Sequence, residues 1–114
     1  MGSKPLVEDV KMERSIEALP KEAFTVLDFI EVFKALYPED WTRLVARFGV
    51  FGDKRRYTVT THLSNRLDTL SHRPDSLLGP LTRFTESKKD YRRTTKQEKK
   101  VFGSPWIAVY RKKL

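Results

Sequence analysis

"RRYTVTTHLSNRLDTLSHRPDSLLGPLTRF", residues 55–84, decides how the rest of the chain is read. Wound as a helix at about 100° per residue, Val59, Leu63, Leu67 and Leu70 fall within about 80° of one another, a single narrow apolar stripe. Thr61, Ser64, Asn65 and Asp68 fall on the opposite side. That outer face is made of small hydrogen-bonding side chains and has no Lys, Glu or Gln. A merely solvated helix face ordinarily carries long charged residues. The spacing therefore predicts a helix starting at Val59, capped by Thr58, with its stripe in a core and its outer face read by a partner.

Upstream, "TVLDFIEVFKALYPEDW" (25–41) is the strongest helical pattern, with Val26, Phe29, Ile30, Phe33, Leu36 and Tyr37 recurring at helical spacing. Thr25 with Asp28 three residues on has the form of a capping box. Pro38 ends that helix and opens another, in which Glu39 and Asp40 suit the positive end, Trp41, Leu44, Val45 and Phe48 turn inward, and Gly49 terminates. A short extended piece at Arg56–Tyr57 is expected before the third helix. Residues 1–19 read as an N-terminal arm or short helix, with Val7, Val10, Ile16 and Leu19 on one side and Pro20 breaking the chain after it. Residues 20–114 form the domain proper.

Downstream the period changes from helical to alternating. "LLGPLTRF" (77–84) and "SPWIAVYRKK" (104–113) read as two antiparallel strands. Between them, positions 88–100 hold seven Lys/Arg against two Asp/Glu and are expected to be a long basic loop. Phe29, Phe33, Trp41, Phe48, Trp106 and Tyr110 are expected in the core, and Tyr91, set among arginines, at a ligand.

Charge is asymmetric. Residues 1–50 carry 7 Lys/Arg and 9 Asp/Glu, a balance of −2; residues 51–114 carry 16 and 6, a balance of +10, and together these make the net +8. Concentrating positive charge in the half that holds the unusual helix points to a polyanion, most simply a nucleic acid.

Three helices followed by a two-stranded hairpin with a basic loop resemble the winged-helix variant of the helix-turn-helix domain, an α+β fold, over roughly residues 24–113. The motif carrying the resemblance is "YTVTTHLSNRL" (57–67), similar to the start of a recognition helix, with "LLGPLTRF" as first wing strand. The resemblance implies a protein that binds double-stranded DNA in transcriptional control or as a DNA-binding accessory. Asn65 would then pair with adenine, and Thr60, Thr61 and Ser64 with bases or phosphates. Thr58 and the helix N-terminus, with Lys54, Arg55 and Arg56 just before it, would hold backbone phosphate. Lys88, Lys89, Tyr91, Arg92, Arg93, Lys96, Lys99 and Lys100 would lie along phosphates as the wing. The arm would pair two copies as a homodimer. A winged helix used for protein–protein contact and a basic RNA-binding protein are the alternatives.

The same reading expects no catalysis, no metal and no cofactor. His62 and His72 stand ten apart with no cysteine anywhere, and neither a phosphate-cradling Gly-rich loop nor a nucleophile with a base is present. The absence of cysteine fits a reducing compartment, and no run approaches the roughly 18 apolar residues of a membrane span. The expectation is an intracellular domain, cytoplasmic or nucleoid-associated.

Overall fold

The computed structural model describes residues 7–49, 58–82 and 84–113. Within them lie five helices and two small antiparallel sheets, an α+β arrangement. The helices are α1 (Asp9–Ala18), α2 (Val26–Leu36), α3 (Pro38–Phe48), α4 (Val59–Ser71) and α5 (Lys96–Phe102); the strands are β1 (Ala23–Phe24), β2 (Tyr91–Arg93), β3 (Trp106–Ala108) and β4 (Tyr110–Arg111). No described helix is long and apolar enough to cross a membrane.

α2, α3 and α4 begin and end where local chemistry directs. Thr25 Oγ1 accepts from the Asp28 N–H at 3.3 Å, and the Thr25 N–H donates back to the Asp28 carboxylate at 3.0 Å, a complete capping box. Pro38 opens α3, and Gly49, at φ 77°, ends it in the backbone region that glycine enters without penalty. Thr58 caps α4 by accepting from the Thr61 N–H at 3.4 Å. The Gly49 carbonyl accepts from the Val59 N–H at 2.9 Å, so the end of α3 is tied directly to the start of α4. The short extended piece expected at Arg56–Tyr57 lies outside the described residues.

The core forms where these helices meet. Val59, Leu63, Leu67 and Leu70 of α4 are buried together with Val26, Phe29, Ile30 and Phe33 of α2 and Leu44 of α3. Trp41, Val45 and Phe48 close its side, half-buried. β4 lies between β1 and a single bridge at Leu78, with Phe24 opposite Tyr110, Ala23 opposite Arg111, and Leu78 opposite Lys112.

Three expectations are corrected. Of the two readings of the N-terminal segment, the short helix is found as α1, but residues 7–19 do not stand apart as an arm: Val7, Met12, Ile16 and Leu19 belong to the same core as α2 and α4. Arg66 donates to the Val7 carbonyl and the Asp9 carboxylate, both at 2.7 Å, Arg73 reaches Asp9 at 2.9 Å, and Lys11 reaches Asp40 at 2.9 Å. Of the apolar set expected to meet a second copy, Val10 alone is exposed. Second, "LLGPLTRF" is not a wing strand; apart from the Leu78 bridge it runs without pairing through its described residues. Third, residues 88–100 are not a loop. Tyr91–Arg93 is the strand that pairs with Trp106–Ala108, and Lys96–Phe102 between them is helical.

The reason for the third correction is local and was readable. Thr95 Oγ1 accepts from the Glu98 N–H at 3.1 Å, while the Thr95 N–H donates to the Glu98 carboxylate at 2.9 Å, a second capping box. Gly103 ends α5 in the left-handed conformation at φ 88°. Arg92 then grips Glu98 through two bonds of 2.8 and 2.7 Å, fastening α5 to β2.

Candidate nucleic-acid interface

α4 is enclosed on most sides. Its stripe faces α2, His62 stacks on Phe48 of α3 with ring centroids 4.6 Å apart, and Arg66, with Arg73 just past the helix end, turns to α1. Burial holds the His62 imidazole below its ordinary range, with Arg66 and Arg47 acting in the same direction. The fourth side, Ser64, Asn65 and Asp68, looks across a cleft of about 520 Å³ toward the β2–β3 hairpin. The face that reads as small and polar in the sequence is therefore one wall of a cleft.

The opposite wall is aromatic. In the hairpin register Arg93 is opposite Trp106 and Tyr91 opposite Ala108, so these four share a face, while Ile107 points into the core. Phe84 closes on that face, its ring centroid 5.1 Å from Tyr91, edge-on, and 5.8 Å from Trp106. Trp106 is half-exposed and stands outside the core cluster, contrary to the expectation for it. Lys88 sets its ammonium 4.8 Å from the centre of the Trp106 ring and 5.4 Å from that of Phe84, and the Arg93 guanidinium lies 5.1 Å over Trp106. Burial raises the Tyr91 phenol, with the Asp68 carboxylate adding to the effect. The Tyr110 phenol, also raised by burial, donates at 3.2 Å to the Ser64 carbonyl and ties β4 to α4 at the back of the cleft.

The expected contact residues divide into groups. Ser64, Asn65 and Tyr91 are brought together on the cleft, and Lys88 and Arg93 stand over its aromatic wall. Lys89 is exposed before β2, and Lys96, Lys99 and Lys100 are exposed on α5. Arg92 is exposed but held by Glu98, whose carboxyl its hydrogen bonds pull down to about 2. Thr58 is buried as a cap, and Thr61 is half-buried against it, their hydroxyls 3.3 Å apart. Thr60 is buried on another side of α4, in a groove with α2, Trp41 and α5. Lys54, Arg55 and Arg56 lie outside the described residues.

Phe84, Phe102, Trp106 and Asp68 line the cleft without having been expected there as contacts. The available signal was the interleaving of cations with aromatics in "RFTESKKDYRR" (83–93). Among the described residues no group of three or more His, Asp or Glu is placed to hold a metal ion. Comparison with protein-family models, with curated proteins and with solved structures finds no match to this chain.

Proposed function

We propose that this chain is a nucleic-acid-binding domain of winged-helix type, taking double-stranded DNA through the unit β2–α5–β3 and the adjoining outer strip of α4. The observation that carries the reading is the exposure of Lys89, Lys96, Lys99 and Lys100 beside Lys88 and Arg93, all on one hairpin or just ahead of it, next to a helix face with few charges. Like charges gathered on one element repel each other, and a polyphosphate backbone relieves that repulsion while releasing its own counterions. The packing of α2, α3 and α4 followed by a hairpin supports the winged-helix comparison. The helix within the wing and the strand ahead of α2 are this chain's departures from that pattern.

Fluorescence anisotropy with a labelled duplex, at about 50 to 200 mM salt, tests the reading. Five to eight phosphate contacts give a slope of about −5 to −7 in log K against log salt. Replacing Lys96, Lys99 and Lys100 together by Ala makes the slope shallower by up to about three and leaves the melting temperature unchanged, because these side chains are exposed. A flat salt response, or no binding at the low end, defeats the proposal.

A further inference from the structure

The cleft between α4 and the hairpin has features that paired DNA does not use. A base inside a duplex is stacked on its neighbours, and its ring faces are unavailable. Yet Phe84 is 38% exposed at the cleft, and Trp106, half-exposed, stands outside the core. Large rings left at a cleft wall mark a place where another flat apolar surface is received. At about 520 Å³ the cleft lies within the range of small-molecule sites and has room for one nucleoside.

Its remaining chemistry suits the same occupant. Ser64 and Asp68 line the wall opposite the rings, and His72 Nε2 stands 3.5 Å from one Asp68 oxygen. A carboxylate there accepts from the amino or imino N–H of a base edge, and a hydroxyl either donates or accepts. Lys88 and Arg93 lie over the aromatic wall, where they meet the phosphates on either side of an inserted nucleotide. An acidic peptide would be repelled by Asp68.

We propose that this cleft receives a single unpaired nucleobase against the Phe84–Trp106 wall, in the place over the rings that Lys88 and Arg93 hold in the free protein, so that the domain prefers nucleic acid with an extrahelical or single-stranded nucleotide over a fully paired duplex. The inference rests on the nucleic-acid reading above and deepens it.

The test uses three probes: a fully paired DNA hairpin, the same hairpin with one extrahelical 2-aminopurine, and a single strand containing 2-aminopurine. Stacking one base on an aromatic ring strengthens binding by about tenfold. The bulged hairpin or the single strand is therefore expected to bind about tenfold more tightly than the paired one, with 2-aminopurine fluorescence quenched on binding. Whichever of the two binds more tightly identifies the source of the base. Phe84→Ala, at an exposed ring, is expected to remove the preference and the quenching. Trp106→Leu is the second variant and keeps an apolar side chain on β3. Equal binding of all three probes by the parent, or quenching unaltered in both variants, overturns the pocket alone. Failure to bind any probe overturns the nucleic-acid reading and the pocket with it.

Discussion

Leu63 and Asn65, two residues apart on α4, separate folding from recognition. Leu63 is fully buried against α2, whereas Asn65 is exposed at the cleft. Leu63→Ala removes a core side chain and is expected to cost about 2–5 kcal/mol, read as a lowered melting temperature. Asn65→Ala is expected to stay within about 0.5 kcal/mol of the parent in stability. Once a preferred site has been enriched from random duplexes, the same change is expected to weaken binding to it by about 1–3 kcal/mol, leaving non-specific affinity largely intact. Unchanged affinity for that site would show that Asn65 reads no base. Both positions were legible in the sequence, because 3.6-residue periodicity alone sorts α4 into a core side and an outer side. What lay across from the outer side was not.

At the scale of the element, Glu98 fastens α5 to its strand. This carboxylate completes the Thr95 capping box and receives both bonds from Arg92. Its pKa is depressed to about 2, so the stability it contributes is present above its ordinary value of 4.5 and lost as the pH falls toward 2. Arg92 is partly exposed, and solvent screening holds the contribution to about 1 kcal/mol. Thermal melts of the parent and of Glu98→Gln are expected to differ by that amount near about pH 6 and to converge near about pH 2. A difference unchanged across that range would remove Glu98 from the account. The sequence carried this signal in "TTKQE" (94–98), a Thr followed three residues later by Glu. The density of positive charge obscured it and favoured a loop.

For the whole molecule, the N-terminal segment is part of the domain. Val7, Met12, Ile16 and Leu19 are each at most 5% exposed, and burial of four such side chains contributes on the order of 6–12 kcal/mol before chain entropy is counted. A domain of this size has about 5–15 kcal/mol of net stability. A version starting at Pro20 is therefore expected to lose its cooperative thermal transition, as followed by circular dichroism. A truncated chain that melts as the full chain does would show that α1 is dispensable.

The sequence by itself determined the starts of α2, α3 and α4, the stops of α2 and α3, their buried faces and the concentration of positive charge in the second half. The helix boundaries and faces depend on neighbours within about one to two turns of helix, such as the Thr25–Asp28 cap, the Pro38 start and the Val59–Leu63–Leu67 stripe. Only the tertiary structure decided that α1 closes the core, that β4 pairs with β1, and that Phe84 and Trp106 face Ser64 and Asp68 across a cleft. Those outcomes join residues as far apart as Phe24 and Tyr110, and two-residue strands carry too little pattern to announce such a pairing. An apolar residue such as Ile16 shows that it will be buried; its partner is chosen by the surface left uncovered when the other helices have packed.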